Sequence, residues 1–182
     1  MEKKENRKVR MTRMVLQDSL VELMKTKPIL SITIKDICSL ADISRSTFYA
    51  HYKDQYDLLR QIEKETFSYF ENMLNMYGDR QNKKEIAQMI EEMLTYIANN
   101  SNSIQVLLSE NGDLDFQKKI FQHFTNHKQV TKYFSEESKE NEIYYSIFLI
   151  HGAIGLVQHW LKNGMSMSVP QLAKMLIKWV VL

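Results

Sequence analysis

Residues 34–53 read IKDICSLADISRSTFYAHYK, and the expected fold follows from the pattern of this stretch. Thr33 is the predicted N-cap of a short helix over 34–40, with Asp36 as the acid of a capping box. Ser44 is the predicted cap of a second short helix that runs to about Ala50. Two short helices joined by a tight turn form a helix-turn-helix. A small apolar core is predicted beneath them, formed by Ile34, Ile37, Leu40, Ile43 and Phe48.

The polar side chains of this stretch are left pointing away from that core. Short hydroxyls and a tyrosine hydroxyl at a helix N-terminus suit phosphate oxygens, which the helix dipole also attracts. An arginine among them can bond to the O6 and N7 atoms of guanine together. A helix with such a surface fits a major groove of DNA. The predicted outward set is Ser44, Arg45, Ser46, Thr47, Tyr49, His51 and Lys53.

The composition of the whole chain favours an all-helical protein. Its 182 residues include only 5 Gly and 2 Pro, fewer turn residues than a protein of many strands needs. Residues 1–53 carry 11 Lys or Arg against 6 Asp or Glu, an excess of 11 − 6 = 5 positive charges. Such a segment could meet nucleic acid or an anionic membrane surface, or simply form a solvated helix face.

Helical spacing of apolar residues extends over most of the chain. We expect a first helix from Arg7 to about Thr26, a loop over 29–34 and a long fourth helix from the Asp54 cap to near Gly78. Further helices are predicted near 84–99, 102–110, 115–134, 140–163 and 168–181. One cysteine, no signal-peptide pattern and no apolar run of roughly 18 residues favour the cytoplasm and no membrane association.

Residues 44–53, SRSTFYAHYK, resemble the fingerprint of the TetR family of bacterial transcription regulators, and the resemblance extends over about residues 8–62. It implies a three-helix DNA-binding domain over 1–53 and a helical regulatory and dimerisation domain over 54–182. Position by position, it implies that Thr33 and Thr47 touch backbone phosphates. It further implies that Ser44, Arg45 and Ser46 face base edges, and that Tyr49, His51 and Lys53 clamp phosphates.

Two positions depart from the family pattern. Asp42 stands in the turn where the family usually has Gly, and Asp tolerates a left-handed backbone better than most residues. Gln55 stands where a Lys is common, so one phosphate contact is expected to be lost. The turn is therefore expected to form, with DNA affinity lower and less dependent on salt.

Residues 148–164 look like the last long helix of a subgroup that contains regulators of dihydroxyacetone kinase operons, some of which activate transcription. Glycines inside a helix each cost about 1 kcal/mol of helix propensity, which suggests close packing on their face. The family places a dimer interface there, and ordinary packing within one chain is the alternative. The candidate interface residues are Gly152, Gly155, Leu156, Trp160 and Trp179.

The eleven Met residues and the many aromatic residues of residues 54–182 are mostly expected in the core, yet Met-rich cavities adapt to varied ligands. We therefore expect a cavity for a small, largely apolar ligand. Its candidate walls are Phe70, Met73, Met93, Tyr96, Phe121, Tyr144, Phe148 and His151.

Other kinds of site find little support in the sequence. His123 and His127 are four residues apart, but no further ligand completes a metal site, so neither a metal nor a cofactor is predicted. Cys38 is interpreted as a core residue, and no motif of an enzyme occurs. The predicted function is a DNA-binding regulator, read as a ligand-responsive repressor that binds a palindromic operator as a homodimer. The alternatives are a transcriptional activator, or a coregulator that works through a protein partner and binds DNA weakly.

Overall fold

The computed structural model describes residues 7–77, 82–126 and 139–180, and all regular structure in these ranges is helical. This confirms the predicted fold class. A 3₁₀ turn over Ile29–Ser31 lies between the first two helices. The α-helices are α1 (Arg7–Met24), α2 (Ile34–Ala41), α3 (Arg45–Tyr49), α4 (Gln55–Tyr77), α5 (Lys83–Asn99), α6 (Ser101–Leu107), α7 (Leu114–Asn126), α8 (Lys139–Lys162) and α9 (Val169–Val180).

Most predicted helix bounds agree with these to within about two residues, but α6 ends three residues early. The Ser109 backbone N–H and hydroxyl both donate to the carbonyl of Val106, at 3.1 and 2.8 Å. The chain then folds back so closely that a Cβ on Gly112 would lie 2.3 Å from the carbonyl oxygen of Leu107. Only glycine fits that approach. The last part of the helix predicted over 115–134 lies outside the described residues.

Helices α1, α2 and α3 pack together with the start of α4 around one apolar core. Leu16, Leu20, Ile37 and Phe48 are fully buried there. Leu40, in contrast, is 51% exposed, so its predicted place in the core is wrong. The buried face of α2 carries Ile37, Cys38 and Ala41, and Leu40 lies beside that face on the solvent side.

The remaining helices continue the same apolar core without a break. Helix α5 packs against α4 and α9, α7 packs against α8, and α6 contacts both α1 and α8. The side-chain amide of Asn111 donates to the carbonyl of Met24 at 3.1 Å. This bond ties the segment between α6 and α7 to the end of α1. No helix in the described ranges has the length and apolar character needed to span a membrane.

The turn of the helix-turn-helix depends on Asp42, which has a left-handed backbone with φ of 53°. Its N–H and that of Ile43 both donate to the carbonyl of Cys38, which closes the C-terminus of α2. This position requires a residue that adopts positive φ at little steric cost. With any other backbone conformation here, the chain would enter α3 at a different angle.

We expect Asp42→Gly to leave the free energy of unfolding within about 0.5 kcal/mol of the wild type, since Gly adopts this backbone without strain but is freer when unfolded. We expect Asp42→Val to lower it by about 1 to 2 kcal/mol, because a β-branched residue resists positive φ. Urea unfolding of the three proteins measures both values. Equal midpoints for Val and Asp would show that the turn carries no such constraint.

Candidate nucleic-acid interface

The N-terminus of α2 is closed by the predicted capping box. The Thr33 hydroxyl accepts from the backbone N–H of Asp36 at 3.2 Å and lies 2.8 Å from Oδ2 of the same residue. The Thr33 backbone N–H donates to that oxygen at 3.0 Å. This backbone bond is the main reason that the pKa of Asp36 lies below its usual value. The Thr33 side chain, predicted to touch a phosphate, is exposed and at the same time holds the helix in place.

The N-terminus of α3 carries a cluster of three hydroxyls. The Ser44 hydroxyl accepts from the backbone N–H of Thr47 at 3.1 Å, as an N-cap does. It also shares hydrogen bonds of 2.8 Å with the hydroxyls of Ser46 and Thr47. No acidic side chain occupies the first turn of α3. An anion at this end of α3 would meet these hydroxyls and the positive end of the helix, with no acidic side chain in the first turn.

The exposed surface of this segment has the composition that the sequence predicted. Ser44, Arg45, Ser46, Tyr49 and Lys53 are exposed, while Thr47 and His51 are half-buried. Beneath them the Phe48 ring is fully buried, with its centroid 5.8 Å from that of Tyr49 and 5.9 Å from that of Tyr52. The structure therefore brings seven of the eight predicted residues onto α3 and its flanks, and places Thr33 at the start of α2.

The joint between α3 and α4 is fixed by acidic caps. The backbone N–H of Lys53 donates to Oδ2 of Asp57 at 3.0 Å, and the N–H of Asp57 donates to Oδ1 of Asp54 at 2.7 Å. Arg60 lies 3.5 Å from the Asp57 carboxylate. The hydrogen bond from Lys53 keeps the pKa of Asp57 low, and the charge of Arg60 adds to the effect. We call α3 and the residues 50–53 that follow it the recognition segment. The start of α4 is thereby held to the end of the recognition segment.

Two lysines that the motif did not point to lie near the capping box. Lys27 and Lys35 both favour the ionised form of Asp36 through their charge, so both are close to Thr33. Lys27 lies in the connection before the 3₁₀ turn, and Lys35 is exposed in the first turn of α2. The position of Lys27 depends on how the chain folds after α1, so the motif gives no signal for it, whereas Lys35 lies within the 34–53 stretch and its charge is a signal that the predicted set left out.

A cavity of about 190 Å³ lies among the helices from α4 to α9. Helix α4 contributes Thr66, Phe70 and Leu74 to its walls, and α5 contributes the adaptable side chains of Met89 and Met93. The rest of the wall is aliphatic or aromatic. It consists of Ile86, Ile90, Leu94, Ile97, Ile104, Leu107, Leu108, Phe116, Ile120, Phe124, Ile150, Ala153, Ile154, Val157 and Leu176.

No described residue covers the outer side of α8 at its two glycines. A Cβ on Gly152 or Gly155 would meet nothing within 4 Å. On the same helix Tyr144 and Phe148 are each 73% exposed. Apolar side chains at such exposure, beside two glycines, form a surface that the described part of the chain leaves open.

Comparisons with known proteins agree with this geometry. Residues 84–180, more than half of the chain, match a family model of TetR regulators described as "Transcriptional regulator C-terminal region". The chain belongs to the TetR family of transcriptional regulators. The family is thus shown by residues that lie beyond the helix-turn-helix motif, and membership makes this protein a DNA-binding transcriptional regulator. No curated protein matches the sequence significantly.

Several solved structures share the fold over nearly their full length. A TetR transcriptional regulator from Streptococcus agalactiae is 21% identical, with a TM-score of 0.63, and the match covers 96% of each chain. The dihydroxyacetone kinase operon activator DhaS is 18% identical, with a TM-score of 0.61 over 93% of this chain and 94% of that one. FadR from Bacillus subtilis, solved with stearoyl-CoA, is 18% identical, with a TM-score of 0.66 over 92% and 97%.

Only part of the predicted ligand set lines the cavity of this TetR-family regulator. Phe70 and Met93 are in its wall, and Met73 is buried elsewhere. Tyr96 stacks on Tyr69 with ring centroids 3.6 Å apart. The predictions for Tyr144, Phe148, His151 and Phe121 are wrong. The first three are exposed on α8, and the Phe121 ring stacks on His151 outside the cavity, at 4.4 Å.

The predicted interface residues divide in a similar way. Gly152 and Gly155 lie on the open side of α8, whereas Trp160 is buried and its indole N–H donates to the carbonyl of Met167 at 2.7 Å. Trp160 therefore belongs to the core of its own chain, and Leu156 is half-buried against that core. The side chain of Trp179 and the residue His127 lie outside the described residues. Among the residues that the structure describes, no cluster suited to a metal ion occurs.

Cys38 and Glu63 are both buried, and burial raises the pKa of each side chain. Burial raises the pKa of the Cys38 thiol, as expected for a small core residue. Glu63 lies on the inner side of α4, only 9% exposed, and its Oε1 has no hydrogen-bond partner among the described residues. Burial raises its pKa from an ordinary 4.5 to about 7, with Asp113 adding to the rise and Lys119 and Arg60 opposing it.

We expect Arg45→Ala and Lys53→Ala to differ in kind, because Arg45 begins the recognition helix and Lys53 follows it. Arg45→Ala should cost about 1 to 3 kcal/mol on operator DNA and little on random DNA. Lys53→Ala should weaken binding to both DNAs and reduce the slope of log affinity against log salt by about one. Fluorescence anisotropy at several salt concentrations distinguishes them, and equal losses on both DNAs for Arg45→Ala would contradict base reading.

The buried carboxyl of Glu63 should make stability depend on pH. Between about pH 4.5 and pH 7 the folded chain keeps a proton that the unfolded chain releases, so the free energy of unfolding falls as pH rises through that range. Glu63→Gln should therefore stabilise the protein at pH 8 by roughly 1 to 3 kcal/mol and change little at pH 4.5. Urea unfolding at both pH values tests this, with the exposed Glu71→Gln as the control. A gain independent of pH would exclude ionisation as the cause.

Proposed function

We propose that this chain is a ligand-responsive repressor that binds a palindromic operator as a homodimer. The proposal rests first on the exposed hydroxyls, arginine and lysine of the α3 segment above a fully buried Phe48. We propose that the protein acts in the cytoplasm, where bacterial DNA lies, and that it catalyses no reaction. The described residues present a surface suited to binding, because the hydrogen-bond donors of α3 and its flanks are exposed to solvent.

The division of labour that we propose follows the predicted domains. Residues 1–53 read DNA, and residues 54–182 sense a ligand and form the dimer. Helix α4 serves both parts, since Lys53 and Asp57 join its first turn to the recognition segment while Thr66, Phe70 and Leu74 line the cavity further along. A change in the cavity can therefore displace α3 through a single helix.

The homodimer is argued from the outer side of α8. One recognition helix of five residues contacts few bases, so two copies are needed for a specific site, and their half-sites lie roughly 34 to 36 Å apart or a multiple of that distance. Gly152 and Gly155 permit a second helix to approach closely, and Tyr144 and Phe148 supply apolar area beside them. A two-fold axis across this face forms a bundle of α8 and α9 from both subunits.

A second candidate function differs from the first in the direction of regulation: the protein would activate transcription instead of repressing it. The similar fold of the operon activator DhaS supports activation as the second candidate. A ligand that favours the half-site spacing of the operator would produce an activator, and one that disfavours it a repressor. A coregulator working through a protein partner would bind its own upstream DNA no better than random DNA.

The deciding experiment is binding of the purified protein to the DNA upstream of its own gene, followed by a reporter assay with that promoter. We expect two protomers per near-palindromic site, at least a thousandfold preference over random DNA, and higher reporter output when the gene is deleted. Binding no tighter than to random DNA would reject the DNA-binding proposal. Tight binding with lower output after deletion would replace repression by activation.

We expect Gly155→Leu to convert the dimer to a monomer at low micromolar concentration, because the added side chain blocks close contact of the two α8 helices. Sedimentation velocity measures the change, and circular dichroism confirms that the variant is folded. Glu91→Leu adds the same side chain to an exposed site on α5 and should leave the dimer intact. A folded Gly155→Leu protein that remains dimeric would place the interface elsewhere.

A further inference from the structure

The cavity has no means of holding a charge. Its described walls include no Lys, Arg, His, Asp or Glu side chain and no side-chain amide, and Thr66 supplies the only side-chain hydroxyl. A charged group moved from water into such walls loses its hydration and gains no ion pair or strong donor in return. The walls therefore select against carboxylates, phosphates and quaternary cations.

The size of the cavity restricts its occupant further. An engineered apolar cavity of 150 Å³ in another protein stays dry and binds benzene. The cavity here, at about 190 Å³, is slightly larger and has walls of the same kind. It holds one ring of the size of toluene or indole. A long acyl chain attached to a polyphosphate headgroup exceeds it in size and meets no cation in its walls.

We infer that the regulatory cavity takes an uncharged, largely apolar ring compound between benzene and indole in size. The inference rests on the proposed function, since it names the class of effector for the proposed site. Met89 and Met93 adapt to the outline of the ring, and Phe70, Phe116 and Phe124 offer aromatic edges and faces.

The one hydroxyl among the wall residues does not reach the cavity surface. The Thr66 hydroxyl is directed to Tyr96, whose ring stacks on Tyr69, and the surface of the described walls is entirely apolar. A phenolic hydroxyl on a ligand therefore finds no partner in the wall, and a plain hydrocarbon fits it better. Since Thr66, Phe70 and Leu74 share one side of α4, the occupant presses on the helix that carries the recognition segment.

The test uses the intact protein with toluene, p-cresol and benzoate as probes. Toluene and benzoate have rings of equal size and differ in charge, so their comparison needs no variant. Titration calorimetry should give toluene a dissociation constant on the order of 0.1 mM, from the burial of about seven carbon atoms. Benzoate should bind at least about 100-fold more weakly.

The location of the probe is read from the methyl signals of 13C-labelled methionines. Toluene should shift the Met89 and Met93 signals and leave those of Met11 and Met14, which are exposed on α1, unchanged. Ala153→Phe fills the cavity and should abolish the shifts, while Thr95→Phe on the exposed side of α5 should retain them. Toluene should bind more tightly than p-cresol, and Thr66→Val should leave the binding of both unchanged, because the Thr66 hydroxyl presents no polar surface to the cavity.

The outcomes separate the ligand class from the effector role. Shifts of Met89 and Met93 with toluene and not with benzoate support the class, and a parallel change in operator affinity supports the effector role as well. The same shifts with unchanged operator affinity support the class and overturn the effector role. Equal binding of toluene and benzoate, or no toluene binding at 2 to 3 mM (roughly 20 to 30 times the expected dissociation constant), overturns the class even where operator binding is intact.

Discussion

The orientation of α3 depends on the joint between α3 and α4, and DNA binding in turn depends on that orientation. Two backbone N–H groups, those of Lys53 and Asp57, are bound by the carboxylates of Asp57 and Asp54, so the short recognition helix leads into α4 without a free hinge. Five residues of α3 alone would not hold a helical shape in water. Its orientation comes from this joint and from Phe48 beneath it.

Helix α8 has a comparable double role at the other end of the molecule. Its inner side supplies Ile150, Ala153, Ile154 and Val157 to the cavity, and its outer side presents the glycines and exposed aromatic residues of the proposed dimer face. Under the proposed function, a change of occupant acts on two helices together. Displacing α4 would turn the recognition segment within a subunit, and displacing α8 would change how the subunits of the proposed dimer meet, so both would alter the spacing of half-sites.

The sequence predicted well what local chemistry determines. The Thr33 and Ser44 caps, the left-handed Asp42 and the helix bounds follow from short-range rules, and the recognition surface follows from residues within one turn of each other. The cavity walls were only partly predictable. Helix α8 carries apolar residues on both of its sides, so periodicity does not tell which side meets α7. It therefore does not predict that Tyr144 and Phe148 are exposed or that Trp160 is buried. The exposed Leu40 shows the same limit on a short helix, where one position separates the packed side from solvent.

Transmission from the cavity to the DNA-binding surface can be measured as the distance between the two α2 helices of the proposed dimer. A spin label on Ser39→Cys, in a Cys38→Ala background, lies beside the recognition segment and outside the proposed DNA contacts. Pulsed electron paramagnetic resonance should give one narrow distance on operator DNA and a shifted or broader distribution when toluene saturates the Met89 and Met93 signals. An unchanged distribution at a toluene concentration that weakens operator binding would contradict transmission through α4.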